Sequence, residues 1–242
     1  LNFRFVKIPE PITSEGDIFQ LNKIFSFAIA FGAMLATPDT TGSYTSMAIS
    51  GSNTLGLIMA VGDVNSNALT GITWNGVAMT KIQSGIPGTD RAVGLWYVVN
   101  PASATTITLT GGTYKQAREF YYTGVSQSAP IDSSAEANSS ASAAITVATT
   151  VVASNCWTVM VSKDDGSGTI TYTVNVGVVR EGPDGGGECL SDSDGTVGTG
   201  SQSTTQTMAS STANHYGIAC SIAPAVASAS VKRNLMTLGV GR

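Results

Sequence analysis

The chain has 242 residues, 42% of them hydrophobic and only 12% charged, and it includes 28 Ser, 30 Thr and 27 Gly. A net charge of −4 and a pI near 4.9 leave no basic footprint, which argues against nucleic acid as the main ligand. The apolar content is ample for a core, which excludes a wholly disordered chain; the length admits one large sandwich or two small domains.

Residues 1–23 read as an extended arm. Phe3 and Phe5 alternate about Arg4, Ile8 follows, and Pro9-Glu10-Pro11 forbids helix and forces an extended path. Thr13 to Asp17 reads as a turn. Lys23 followed by Ile24 to Ala36 has the outline of a signal-peptide apolar region. The better reading is a buried strand, because Phe25, Phe27, Ile29 and Phe31 alternate with small residues, and the stretch is too short to span a membrane. A loop follows at Thr37 to Gly42.

From there strands and turns succeed one another without helical periodicity. Expected strands run through Ser43–Ser50, Thr54–Val61, Gly71–Trp74, Val77–Ile82, Ala92–Val99, Thr105–Thr110 and Arg118–Thr123. In Thr105 to Thr110 hydroxyls alternate with apolar residues, so one face of the strand carries each set. Asn75-Gly76 is the strongest hairpin signal, since a type I′ turn needs positive φ at both positions. Ser133 to Ser142 reads as a surface loop. Later strands are expected at Ser142–Thr150, Cys156–Ser162, Thr169–Val179, Glu188–Ser191, Ser203–Met208 and His215–Ile222, with Gly182 to Gly187 a long loop. No internal repeat is evident. The pattern predicts an all-β, two-sheet antiparallel sandwich of jelly-roll or immunoglobulin-like type over residues 24–224. A tail over 225–242 ends in the basic and apolar run Val231 to Leu238, with Leu235, Met236 and Leu238 outside the apparent core.

Residues with chemistry are few. His215 is the only histidine, lies in an alternating strand run and lacks a Gly-x-Ser-x-Gly elbow, so a serine triad is not expected. Glu119, inside Arg118 to Tyr122, is the most strand-embedded glycosidase candidate but reads as a sheet-edge or surface charge. Asp192-Ser193-Asp194-Gly195 has the outline of part of a calcium loop without the further oxygen ligands. Turn chemistry is the first reading there, at Asp164-Asp165-Gly166 and over Asp63 to Asn67. No cofactor is expected, Ca2+ in one of these Asp-rich loops being the alternative.

Cys156, Cys189 and Cys220 cannot all pair within one chain; buried thiols are expected, with a Cys156–Cys220 disulfide as the alternative. Trp96 and Trp157 sit in dense apolar runs and read as core, whereas Trp74, beside a hairpin turn, is the best exposed candidate for stacking on a sugar.

One series of landmarks looks familiar as a set: Ile72 to Thr80 with Trp74-Asn75-Gly76, Leu95 to Pro101, Tyr122 to Gln127, Pro130-Ile131-Asp132, Asn155 to Val159, and Ser221 to Pro224. It resembles a poorly characterised group of β-sandwich proteins found among bacterial secreted proteins and in phage or environmental-virus genomes. The resemblance implies a structural or surface-display module and transfers no catalytic residue. The arm and the tail are additions to that pattern.

The sequence therefore suggests a non-enzymatic structural protein that assembles with copies of itself and with other virion or filament proteins. It would be a capsid, tail or fibre component, or an extracellular filament subunit, the virion being favoured on resemblance. In this reading the arm (Phe3, Phe5, Ile8, Phe25, Phe27) and the tail (Leu235, Met236, Leu238) dock on neighbouring subunits, the arm by adding a strand to an open sheet edge. No nucleic acid and no membrane insertion are expected. The alternative is a secreted carbohydrate-binding or adhesion module that uses Trp74 to hold a glycan; a hydrolase ranks last.

Overall fold

The computed structural model of the protein describes residues 27–36, 42–63, 69–87, 91–112, 114–165, 171–181, 187–209 and 213–226. Residues Phe27–Ala225 make one unit. Of the residues expected to form the arm and the tail, Phe3, Phe5, Ile8, Phe25, Leu235, Met236 and Leu238 lie outside the described residues.

Every regular element among the described residues is a strand. The first half of the unit carries β1 (Ala30–Ala36), β2 (Ser43–Thr45), β3 (Leu55–Asp63), β4 (Leu69–Trp74), β5 (Val77–Ala78), β6 (Thr80–Gly85), β7 (Arg91–Val99), β8 (Thr106–Gly111) and β9 (Lys115–Thr123). The second carries β10 (Ile131–Ser139), β11 (Ala144–Val151), β12 (Trp157–Asp164), β13 (Thr171–Val174), β14 (Val178–Glu181), β15 (Glu188–Asp192), β16 (Gly200–Ala209) and β17 (His215–Ile222). They form four antiparallel sheets, ordered β2-β8-β4-β5, β1-β9-β3-β7-β6, β10-β17-β12-β15-β14 and β11-β16-β13.

Packing stacks these sheets in that order. Leu55, Leu57, Met59, Phe120 and Tyr122 of the second sheet meet Trp157, Val159, Leu190, Ile218 and Cys220 of the third in a central apolar layer. The opposite face of the second sheet, through Ile58, Ala60 and Trp96, packs on Ile72, Trp74 and Ile107 of the first. Met160, Cys189 and Ala219 of the third likewise meet Ile145, Val147 and Met208 of the fourth. The two inner sheets are thus buried on both faces, which is why β3, β12 and β17 read as continuous apolar runs rather than as alternation. Alternation survives on the outer sheets, where Thr106, Thr108, Thr146, Thr150 and Ser203 face outward and are exposed. Across that surface the Thr146 and Thr205 hydroxyls lie 2.8 Å apart.

The expected antiparallel sandwich is therefore present, and it is built twice. If β5 and β6 are taken as one strand that changes sheet at Met79, each half has eight strands. Their order is 1-8-3-6-5 in the inner sheet and 2-7-4 in the outer one, a jelly-roll winding repeated with one difference, the fifth strand of the first half pairing also with the fourth. Local detail repeats as well. Ser52-Asn53 and Ser154-Asn155 lead into the two third strands, and both asparagines have positive φ, 53° and 61°. Asn75 N donates to Thr106 O at 2.8 Å, and its counterpart Asn175 N donates to Thr205 O at 3.1 Å. Gly76 (φ 76°) and Gly177 (φ 82°) complete the two turns in the left-handed region.

After the last strand of each half, Val125 and Pro224 pair as an antiparallel bridge, with Ala225 N donating to Gly124 O and Ser126 N to Ala223 O, both at 2.8 Å. Equivalent segments that pair antiparallel are what a two-fold axis between the halves produces. The repeat escapes sequence inspection because core positions have diverged, Ile107 answering to Gln206 and Ile72 to Tyr172 across the same registers.

Four expected elements need correction. Ser133 to Ser142 is not a loop, since β10 pairs along β17 with Ala135 and Ala137 turned toward the core. Thr169–Val179 is broken at Asn175 to Gly177, so β13 and β14 belong to different sheets. Val77–Ile82 breaks at Met79 for the same reason. Of Ser43–Ser50 only Ser43–Thr45 is strand.

Candidate functional site

The most concentrated chemistry lies between the two inner sheets. Phe120 and Tyr122 of β9 face the central layer, so by period two Arg118 and Gln116 do also. On β12 Lys163 continues the face of Val159 and Val161, and on β15 Glu188 continues that of Leu190. Arg118 Nε lies 2.6 Å from Glu181 Oε1, and its terminal nitrogen lies 3.5 Å from Glu188 Oε2. Lys163 Nζ is 4.0 Å from Glu188 Oε1 and also donates to the backbone carbonyl of Asp164. Gln116 closes the set with its amide nitrogen donating to Glu188 Oε1 at 3.1 Å and its oxygen accepting from Arg118 at 3.2 Å. All four charged side chains are buried. Burial raises the carboxyls of Glu181 and Glu188 above their ordinary range, opposed by Arg118 at the first and by Lys163 and Arg118 at the second. Two cations and two carboxylates thus balance between the halves as a clamp.

A second cluster joins Arg180 to the Asp192–Gly195 turn. Arg180 Nε and its terminal nitrogen donate to the two Asp192 oxygens at 2.9 and 3.0 Å, and the same nitrogen reaches Asp194 Oδ1 at 2.5 Å. Tyr122 Oη donates to Asp192 Oδ2 at 2.8 Å; burial and that carboxylate push the phenol up. Both carboxylates of this turn are thus paired with the Arg180 guanidinium. Asp165, in the other Asp-rich turn, accepts from Asn214 N and Nδ2 at 2.8 and 3.0 Å.

Glu119 is not a surface charge, and neither is its neighbour Arg118, since both are buried. Its side chain enters the outer layer of the first half, where Oε1 accepts from Met47 N at 3.1 Å and Oε2 has no partner. Burial raises its pKa to about 7, partly opposed by the Met47 hydrogen bond. The nearby Tyr44 phenol is pushed up by burial and by Glu119. A carboxyl of this kind suits proton transfer, but this one is closed off from solvent. Its effect falls on stability. Its folded-state pKa is raised, so the folded chain holds the proton more tightly, and stability declines as pH rises from about 4.5 to about 7. Glu119→Gln is expected to flatten that decline, read as the urea midpoint at pH 5 against pH 8; an unchanged difference would contradict it.

His215 is buried, with Nε2 donating to Ser142 O at 2.5 Å, as suits a strand-face histidine rather than a base. Cys156, Cys189 and Cys220 are free buried thiols, so the alternative of a Cys156–Cys220 disulfide is not realised. Burial raises the Cys156 thiol to about 11, helped by Asp132, and the Cys220 thiol to about 12, so both stay protonated.

Trp74 does not form a sugar platform. It is 1% exposed, in the layer between the outer and inner sheets, with Nε1 donating to Ala102 O at 2.7 Å. The strand from Trp74 faces inward because Thr73, not Trp74, shares the outward side with Thr108. Phe27, expected in a buried strand, precedes β1 and is 45% exposed.

Comparison with protein-family models, with curated proteins and with solved structures finds no match for this chain. The clamp of Arg118, Lys163, Glu181 and Glu188 was missed in the sequence. Its one signal there is a charged residue at the end of an apolar alternation, as in Val159, Val161, Lys163.

Proposed function

We propose that the chain is a non-enzymatic structural protein that assembles with copies of itself through its terminal segments. It would serve as a capsid, tail or fibre component of a phage virion or as an extracellular filament subunit. The observation that carries this reading is topological. Phe27 N donates to Ala225 O at 2.9 Å, so the chain enters and leaves the double sandwich at one place. Twenty-six residues precede that point and seventeen follow it, and both stretches contain apolar residues. The described residues of the sandwich carry three buried apolar clusters of their own. Two segments that leave together can engage a neighbour as a single limb, by strand addition and apolar anchors. The landmark resemblance favours the virion.

Removing residues 1–23 is the test. The intact chain is expected to form high-mass species by light scattering, and the shortened chain to remain monomeric. Assembly of the shortened chain with unchanged affinity would overturn the role of the arm.

A further inference from the structure

At Met79 the chain changes sheet, so that among the described residues β4 has a partner on its second edge only along part of its length. β5 pairs with β4 only at Thr73 and Trp74, and Met79 N adds one bond to Ile72 O at 2.9 Å. Among the described residues no strand pairs with Leu69–Gly71 on the side away from β8. The inner sheet continues beneath this gap, because β6 pairs with β7 from Thr80 to Gly85. The floor is therefore formed by the face of β7 and β6 that the outer sheet fails to cover. A side chain built on Gly94 would meet the Trp96 ring and, at 3.1 Å, Ser84 Cβ, so these three share that face.

Two cavities open along the gap, and Trp96 lines both. The first, about 210 Å3, is lined by Ala60, Leu69, Ser84, Ile86 and Gly94. The second, about 360 Å3, is lined by Gly71, Ile72, Ala78, Met79 and Lys81. Ile86, at the rim, is 42% exposed. A free strand edge above two neighbouring, mostly apolar cavities is the form of a β-augmentation site, in which backbone bonds give affinity and alternate side chains fill pockets.

We propose that this slot between β4 and β6 receives the N-terminal segment of a second copy, with Phe3 and Phe5 seated one in each of the two cavities that Trp96 lines. The inference rests on the assembly reading above and specifies its surface. Phe3 and Phe5 are separated by one residue, so in a strand they project to the same side about 7 Å apart and offer one ring to each cavity. The 26 residues before Phe27 span up to about 85 Å when extended, enough to reach a neighbouring body.

The test mixes two single variants of the 242-residue chain, Arg4→Cys and Thr70→Cys, and adds a short bismaleimide. Arg4 lies between the two phenylalanines and leaves them intact; Thr70 is exposed beside the slot; the three native thiols are buried. A covalent heterodimer is expected with Thr70→Cys and none with Thr150→Cys, which sits on the opposite outer sheet. Ser84→Trp, filling the mouth of the first cavity, is expected to abolish assembly. If that variant does not fold, the cross-link alone decides the matter. Assembly without the cross-link and without an effect of Ser84→Trp would overturn the slot while leaving self-association standing. Cross-linking only within single chains of an Arg4→Cys/Thr70→Cys double variant would overturn the second copy as occupant. An intact chain that never associates would remove the assembly reading itself.

Discussion

Replacing Trp74 with alanine should destabilise the fold by about 3–5 kcal/mol, among the largest losses that a single substitution produces. The indole fills the layer between the outer and inner sheets of the first half, and its ring lies 2.9 Å from the position that a side chain on Gly56 would take. Truncation leaves a cavity there and strips the Ala102 carbonyl of its 2.7 Å donor. Trp74→Phe keeps most of the apolar contact and forfeits the hydrogen bond, so it should recover more than half of the loss. Chemical denaturation of both variants provides the measurement. A loss under about 1 kcal/mol for Trp74→Ala would show that the ring is not a core residue. Any ligand binding lost with this substitution would follow from loss of structure, so Trp74 is a poor probe of glycan recognition.

Arg118→Met should cost about 3–5 kcal/mol at neutral pH, because it leaves Glu181 facing the central layer without its cation and Glu188 with Lys163 alone. The sign of the pH dependence follows from the two carboxyls, whose folded-state pKa values are already raised by burial. Removing Arg118 raises them further. The deficit should shrink as pH falls and the carboxyls take up protons, and grow as pH rises. The double variant Arg118→Met/Glu181→Leu should regain most of the loss, since it removes the orphaned carboxylate and leaves Glu188 paired with Lys163. Equal instability of the single and double variants at pH 7 would contradict this account of the clamp.

The clamp also shows where sequence reading ran out. Periodicity located most strands, because alternation in Thr106–Gly111 and unbroken apolar runs such as Trp157–Val161 are local properties. It missed β10, whose Ser, Ala, Asn and Glu content looks like a loop until the neighbouring β17 supplies its hydrogen bonds. It treated Trp74 as exposed because a hairpin neighbour says nothing about which face a residue takes. It read Arg118 and Glu119 as surface charges because charge is usually solvated; here they enter different buried layers from opposite faces of one strand.

The duplication was hidden for a related reason. Equivalent strands need only an apolar inward side, so Trp74 can answer to Val174 and Leu109 to Met208 while the winding is kept. What persists between the halves is the turn and cap chemistry, Asn53 with Asn155 and Asn75 with Asn175, where backbone geometry limits the choice of residue. The expected arm over 1–23 lies outside the described residues, as does the expected tail beyond Val226.

An electron micrograph of the purified intact chain tests the central claim most directly. Regular particles or fibres built from repeating subunits are the predicted result. A field of isolated monomers at the highest soluble concentration would contradict it.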